Sequence, residues 1–136
     1  MTAYQRGDYA TAYKLWKLLA DQGDALAQGL VAVMYDYGQG VPQDYAEAVK
    51  WYRKAADQGK ANAQFNLGFM YGYGQGVPQD YVEAHKWFNL SSARATEKET
   101  RDMATKNRDI VAAKMTPAQV AEAQKLARDW KPTTAP

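Results

Sequence analysis

Apolar residues recur every three or four positions in the segment after Asp44, and this spacing places them on one face of an α-helix. Asp44 precedes the run and Glu47 follows three residues later, as in a carboxylate form of the capping box. Gly59 offers a left-handed residue at which the helix can end. The apolar positions are Tyr45, Ala48, Tyr52 and Ala55, with Trp51 at the edge of the stripe. The pattern predicts a helix that begins at Tyr45 and packs one face against another element.

A second helical run extends from about residue 60 to residue 73, with Ala63, Leu67, Met70 and Tyr71 on one side. Gly68 lies in its middle, where glycine costs about 1 kcal/mol unless a neighbouring backbone must come close. The sequence GQGVPQ at 74–79 then predicts a turn, because its glycines permit positive φ and its proline cannot continue the helix. Each unit is therefore a predicted helix pair, and Gly68 marks the point where two helices cross.

This unit repeats with a period of 36 residues. Residues 8–43 align with 44–79 without a gap and are identical at 21 of the 36 positions. The register continues after Asp80 in five further matches, which are Tyr81, Glu83, Ala84, Lys86 and Trp87. The Met-Ala pair at 103–104 falls opposite Leu-Gly at 67–68 and indicates a third, degraded copy.

A two-helix unit cannot bury its apolar face alone, so neighbouring units must stack. We therefore expect an all-α fold, an α-solenoid of antiparallel helix pairs that forms a single domain over residues 1–136. The expected parts are a partial N-terminal unit at 1–23, helix pairs at about 24–57 and 60–93, a degraded unit at 96–115 and a capping helix at 117–130. Thr116, Pro117 and Gln119 indicate the start of that cap, with an N-cap hydroxyl, proline at the first helical position and glutamine at the third.

The N-terminal unit is more apolar than its copy, because leucines at 15, 18 and 19 replace Trp51, Lys54 and Ala55. We expect this face to be covered by residues that precede the given sequence, by a second chain, or by the short segment at 2–5.

Composition excludes several classes of function. The net charge is only +2, so nucleic acid is not an expected partner. Cysteine is absent and His85 is the only histidine, so neither a metal site nor a cofactor is expected. No apolar run approaches the roughly 20 residues of a membrane span, and the start lacks the features of a signal peptide. A periplasmic or secreted location is expected if a signal peptide has been removed upstream, and a cytoplasmic one otherwise.

The sequence presents no catalytic centre. His85 occupies the helix position of Val49, and Ser91 and Ser92 replace two alanines, so packing is the favoured role for all three. No Gly-x-Ser-x-Gly motif surrounds the serines, and no Gly-Lys-Ser/Thr follows the glycines at 72–76. We therefore expect a protein that is not an enzyme.

Three motifs recur in the units: A-x-x-x-L-G-x-x-Y at 63–71, G-x-G-V-x-x-D at 74–80, and A-x-x-W-Y-x-K-A-A at 48–56. Together they resemble the Sel-one-like repeat family, a relative of the tetratricopeptide repeat, and the segment at 115–130 is similar to the end of many bacterial members. The resemblance implies right-handed superhelices whose first helices line a concave surface, and a role as an adaptor or scaffold. A disulfide-rich branch is linked to cell-wall or β-lactam chemistry, which this cysteine-free chain fits poorly.

Differences between the two near-identical units indicate positions that stacking does not use. In the helices at about 26–37 and 62–73 these differences form one stripe, apart from the stacking positions. The stripe predicts a groove for a protein or peptide partner, apolar at one end and charged at the other. Its residues are Leu26, Leu30, Val33 and Tyr37, then Asn62, Phe65, Asn66, Phe69 and Tyr73, and finally Lys98 and Arg101. Two or three apolar anchors, each contributing roughly 1.5–3 kcal/mol, predict about micromolar affinity.

Other interpretations compete with this groove. Packing against the next helix pair is the alternative for Phe65 and Phe69. For the charges around Lys98 and Arg101, an ordinary solvated face is the favoured interpretation. A cell-wall or β-lactam-related hydrolase is suggested only by the distant family branch. A structural homo-oligomer formed through the apolar N-terminal helix is the third possible function.

Overall fold

The computed structural model describes residues 1–133, and this part of the chain folds into seven α-helices without a strand. The helices are α1 (Tyr9–Asp21), α2 (Ala25–Tyr37), α3 (Tyr45–Asp57), α4 (Ala61–Tyr73), α5 (Tyr81–Arg94), α6 (Lys98–Ala112) and α7 (Pro117–Asp129). Each of the first five packs against the next along the chain, and α7 packs on α5. The protein is therefore an all-α solenoid, as its repeats predict. The end of the expected domain, at 134–136, lies outside the described residues.

The helices begin at positions that follow the 36-residue period. α1, α3, α5 and α7 start at residues 9, 45, 81 and 117, and α2 and α4 start at 25 and 61. Asp8, Asp44 and Asp80 cap the first three of the odd-numbered helices, and each side chain accepts a hydrogen bond from an amide three residues later. An N-cap carboxylate satisfies an amide that has no partner within the helix, so local sequence is enough to set these starts. The predicted start at Tyr45 is confirmed.

Glycines shape the turn after α4 in two ways. Gly74 ends the helix at a φ of 66°, in the left-handed region that strains other residues. A Cβ at Gly76 would collide with the backbone carbonyl of Tyr45, so this turn lies directly on the start of α3. The turn after α2 repeats both features and lies on the start of α1.

One continuous apolar core runs from α1 to α5. Trp51 and Tyr52 of α3, Leu67 and Met70 of α4 and Trp87 of α5 are all buried in it. Burial of a large apolar side chain contributes roughly 1.5–3 kcal/mol. Because the members come from successive helix pairs, the stack as a whole stabilises the fold.

Gly68 lies where α4 and α5 cross, as predicted. A Cβ at this position would lie 3.0 Å from ring carbons of Phe88 and 3.2 Å from the carbonyl oxygen of Ala84. At Gly72, one turn later, the nearest atom would be the Cβ of Ala84 at 3.7 Å, which is ordinary contact. α5 therefore lies closer to the backbone of α4 at Gly68 than at Gly72.

The packing of α6 departs from the repeat. Met103 is 47% exposed, whereas the matched Leu67 of α4 is fully buried. Glu99 and Lys106, which replace buried apolar residues of α4, are exposed beside it. These charges keep this face of α6 in water, because an unpaired charge is costly to bury. The match of Ala104 to Gly68 therefore holds in packing, since both are buried, whereas the match of Met103 to Leu67 holds in sequence only.

The predicted capping helix is present as α7, with the capping box of Thr116 formed and Trp130 as its C-cap. α7 packs mainly against α5 rather than against α6, its neighbour in sequence. Trp130 meets Trp87 edge-on with ring centroids 6.2 Å apart, and the amide of Thr133 donates a 2.7 Å hydrogen bond to the carbonyl of Asp57. The cap thus covers α5 and reaches back to the end of α3.

The N-terminal segment packs on α1 without covering its leucines. Tyr4 lies with its ring centroid 5.1 Å from Tyr9 and 5.3 Å from Trp16, and its hydroxyl donates to the side-chain oxygen of Gln39. Leu15, Leu18 and Leu19 are 55%, 62% and 46% exposed. The expectation that the segment at 2–5 covers them is therefore wrong, because its aromatic residue packs on other rings.

Candidate functional site

α2, α4 and the turn between α5 and α6 line a groove with a volume of about 410 Å³. This volume lies within the range of small-ligand sites. The wall from α2 is aliphatic, and the wall from α4 carries side-chain amides. Residues at 94–97 and Thr100 line its third side, where Glu97 faces the same space as Lys60. The groove therefore combines apolar surface with groups that donate and accept hydrogen bonds.

Five of the predicted site residues line this groove. Leu26, Leu30 and Val33 form the aliphatic wall, and Asn62 and Asn66 form the amide wall. Leu26 and Asn62 are exposed, while the other three are half-buried. The structure therefore brings together the first parts of the predicted stripe in α2 and α4.

The predicted aromatic residues lie elsewhere. Phe65 packs against Phe88 of α5 with ring centroids 5.5 Å apart. This agrees with the alternative interpretation, in which Phe65 packs against the next helix pair. Phe69 and Tyr73 contact each other at 4.5 Å near the end of α4, and both are exposed. Tyr37 is exposed at the end of α2. None of these four residues lines the groove: Phe65 is turned toward α5, and Tyr37, Phe69 and Tyr73 come after the last groove residue of their helices.

The predicted basic residues have local partners. The Nζ of Lys98 forms a 2.6 Å ion pair with Asp102 one turn along α6, and both side chains are exposed. Arg101 donates hydrogen bonds to the carbonyl oxygens of Ala95 and Thr96 at 3.2 and 2.8 Å. Neither lines the groove, and Arg101 instead braces the α5–α6 turn that does.

The sequence stripe missed the residues of that turn, including Thr96, Glu97 and Thr100. Arg94 joins them, and its Nε donates a hydrogen bond to the carbonyl of Gly59 at 3.1 Å. A signal was present in the repeat itself, because Ala95 stands where the earlier units carry glycine. Where one unit carries a different residue at the turn between its helices, the surface at that turn is expected to differ from that of the other units.

Tyr52 also lines the groove but was not predicted to, because the sequence places it on the apolar face of α3 that packs into the core. Its ring is buried, and its hydroxyl donates a 2.9 Å hydrogen bond to the carboxylate of Asp36. Burial, together with the negative charge of Asp36, raises the pKa of Tyr52 above its usual value. The hydroxyl is therefore a fixed neutral donor that ties α3 to α2 beneath the groove.

The residues considered for catalysis have packing roles. The Ser91 hydroxyl donates to the carbonyl of Ala61 at 2.9 Å, and that of Ser92 bonds Thr105 at 2.7 Å. His85 is buried, and burial followed by the charge of Arg108 lowers its pKa. Within residues 1–133, no three His, Asp or Glu side chains converge in a way that could hold a metal ion.

These features define a class, the helical-repeat solenoids. A model of the Sel1 repeat matches residues 3–24, 25–60 and 61–95, and the chain belongs to the Sel1 repeat family. A search of curated proteins found no match. None of the described helices has the length and apolar character needed to cross a bilayer.

Among the solved structures that are similar to the chain are the following two. One is c5321, described as a protective antigen present in uropathogenic Escherichia coli strains displaying an SLR fold. It is 35% identical with a TM-score of 0.82, and the match covers 89% of this chain and 25% of that one. The other is a Sel1 repeat protein from Oxalobacter formigenes, 27% identical with a TM-score of 0.63, covering 88% of this chain and 54% of that one.

The chain therefore spans about a quarter and about half of these two proteins. Sel1 repeat proteins are generally scaffolds for protein interactions.

Proposed function

We propose that this protein is a non-enzymatic scaffold whose groove binds an extended segment of a partner protein. The observation that supports this most is the convergence of α2, α4 and the α5–α6 turn on one groove. Two of its walls come from stacked helices of successive repeats. Such walls are held in place by the core beneath them, so binding need not order them first.

The two helical walls suit different parts of a peptide. Leu26, Leu30 and Val33 offer an aliphatic surface to an apolar side chain of the ligand. Asn62 and Asn66 lie one helical turn apart on the other wall, and each amide both donates and accepts hydrogen bonds. An extended peptide presents backbone N–H and C=O groups that such amides can bind. We therefore expect a ligand with an aliphatic anchor beside an exposed backbone.

The expected affinity is modest. The anchor supplies roughly 1.5–3 kcal/mol on burial, and each hydrogen bond adds about 1 kcal/mol. Association entropy offsets much of this gain, so a single segment binds with about micromolar affinity. A partner that binds this weakly exchanges readily or uses several segments at once.

A displayed library of random peptides, selected on the purified full-length chain, tests this function. Leu30→Asp places a charge in the aliphatic wall, and Asn66→Ala removes one amide. We expect each variant to bind the selected peptides about tenfold more weakly than the unchanged chain. Tyr37→Ala is the matched control, because Tyr37 lies on the same helix as Leu30 but outside the groove.

Circular dichroism must first show that all three variants keep the helical fold. Selected peptides that bind Leu30→Asp and Asn66→Ala as tightly as the unchanged chain would place binding elsewhere. The same conclusion follows if Tyr37→Ala alone weakens binding.

A further inference from the structure

The guanidinium group of Arg94 lines the groove and is held in place from two sides. Its Nε donates a 3.1 Å hydrogen bond to the carbonyl oxygen of Gly59. Its Cζ lies 5.3 Å from the centroid of the Trp130 ring, which is within the range of a cation–π contact. A Cβ on Gly59 would lie 2.5 Å from one of its terminal nitrogens, so the group rests directly on the α3–α4 turn. Arg94 is exposed, yet the protein fixes where its charge lies.

The preceding unit shows how the equivalent residue is used there. Gln58 lies 36 residues before Arg94. Its Nε2 donates a 3.0 Å hydrogen bond to the carbonyl oxygen of Gly23, which is the same contact one unit earlier. Nε2 also donates to the side-chain oxygen of Gln28 at 2.9 Å. A glutamine amide has two N–H groups, so Gln58 uses both of its donors within the protein.

Arginine at this position leaves donors unused. A guanidinium group carries five N–H donors, and the bond to Gly59 uses only that of Nε. Within residues 1–133, the N–H groups of the two terminal nitrogens have no hydrogen-bond acceptor. The Oε1 of Gln64, which corresponds to the acceptor in Gln28, is buried and has no partner among the same residues. The exchange of glutamine for Arg94 therefore gives up an internal hydrogen bond and directs a charged group with free donors to the groove.

The charges along the groove favour an anion of single charge. Its described lining contains two basic side chains, Lys60 and Arg94, and one acidic side chain, Glu97, which leaves a net charge of +1. Neither basic side chain forms an ion pair with Glu97 in the part of the chain that the structure describes. The planar fork of a guanidinium group matches a carboxylate, which it binds through two parallel hydrogen bonds. A phosphate, with a charge near −2, would be opposed more strongly by Glu97.

We propose that the segment bound in the groove carries a carboxylate, which Arg94 binds through its two terminal nitrogens. The inference rests on the proposed function, because it concerns the same groove. The aliphatic wall of α2 holds the apolar anchor, and Arg94 binds the carboxylate on the side that the α5–α6 turn forms. The ligand is therefore an acidic and aliphatic segment, and its carboxylate comes from an aspartate or glutamate side chain or from the C-terminus of the partner.

Synthetic octapeptides test this chemistry on the purified full-length chain. Each carries one leucine and one aspartate at varied spacing in a glycine–serine background, and each has a twin with asparagine in place of the aspartate. All are made with a free and with an amidated C-terminus, and fluorescence polarisation measures their binding. We expect the tightest peptides to lose roughly three- to tenfold in affinity when one carboxylate is removed. The change that causes the loss, asparagine or amidation, identifies the source of the carboxylate.

Arg94→Gln separates binding from folding, because it restores the residue that the preceding unit carries. Glutamine is placed to donate to Gly59 and to the unpartnered oxygen of Gln64, so we expect a free energy of unfolding no lower than that of the unchanged chain. The variant should bind the carboxylate peptides roughly three- to tenfold more weakly and their uncharged twins equally well. Arg94→Lys keeps the charge without the fork and should recover only part of the affinity.

Arg128→Gln is the matched control, since it removes the same charge from an exposed arginine of α7 outside the groove. It should leave all affinities unchanged. Equal binding of the carboxylate peptides by Arg94→Gln and the unchanged chain would overturn the proposal. So would an equal loss for the carboxylate peptides and their twins, because Arg94 would then act through the shape of the groove.

Failure of the proposed function gives a different result. Peptides that bind with a carboxylate dependence, but bind Leu30→Asp as tightly as the unchanged chain, would place the arginine contact outside the groove and overturn both proposals. The absence of any binding up to about 1 mM would also overturn both. Peptides that need Leu30 but not their carboxylate would leave the groove in place and overturn the role of Arg94 alone.

Discussion

Replacing Gly68 with alanine sets helix propensity against packing at the crossing of α4 and α5. Alanine is favoured over glycine inside a helix by about 1 kcal/mol. The added methyl group, however, meets the Phe88 ring at 3.0 Å and the Ala84 carbonyl at 3.2 Å. Overfilling a packed core costs about 1–3 kcal/mol. We expect the second effect to win and Gly68→Ala to lower the free energy of unfolding by about 1 kcal/mol.

Gly72→Ala is the control for this prediction. It adds the same methyl group to the same helix, but its nearest neighbour lies at 3.7 Å. Only the propensity gain applies there, so we expect a stabilisation of about 0.5–1 kcal/mol. Urea unfolding followed by circular dichroism at 222 nm measures both variants. The reasoning is refuted if Gly68→Ala is as stabilising as Gly72→Ala, because Phe88 would then have moved aside at little cost.

Three further predictions concern stability. Because burial lowers the pKa of His85 below 6.5 in the folded state, the unfolded state binds its proton more readily. The contribution of neutral His85 to the free energy of unfolding should therefore be fully present above pH 6.5 and decrease as the pH falls below 6.5. Urea midpoints of the His85→Gln variant should not show this decrease. Tyr52→Phe removes the hydrogen bond to Asp36 and should lower the free energy of unfolding by about 1 kcal/mol in the same assay. A smaller loss would show that this hydrogen bond does not hold α3 against α2. Trp130→Ala exposes Trp87 to water and should lower the free energy of unfolding by about 2 kcal/mol, with a red shift of the tryptophan fluorescence. An unshifted spectrum would contradict the proposal that Trp130 covers Trp87.

The repeat and its helices could be predicted because their signals are local. Asp44 caps α3 through an amide three residues away, and Gly74 ends α4 through its own backbone angle. Neither interaction depends on distant parts of the chain. The self-similarity of the units then implies stacking, since each copy has the same unburied face. The all-α solenoid and the crossing at Gly68 followed from these facts alone.

The candidate site was predicted in part. Residues of α2 and α4 that line the groove were found because they differ between copies whose stacking positions agree. Phe65 differs in the same way, yet it packs on Phe88. A difference between copies indicates freedom from the common packing pattern, and it does not distinguish a solvent-facing residue from one with its own packing partner.

What the sequence determined by itself is the 36-residue unit, its caps and turns, and the identity of the stacking positions in the two clear copies. Only the tertiary structure decided how the ends depart from that unit. α7 begins in register with α3 and α5 but packs on α5, because Trp130 finds Trp87 there and α6 presents charges. The α5–α6 turn completes the groove through contacts that the repeat does not share, since Arg94 donates to the carbonyl of Gly59 and Arg101 to those of Ala95 and Thr96. Local signals set where helices begin and end, whereas burial of apolar surface between distant helices sets where each helix lies.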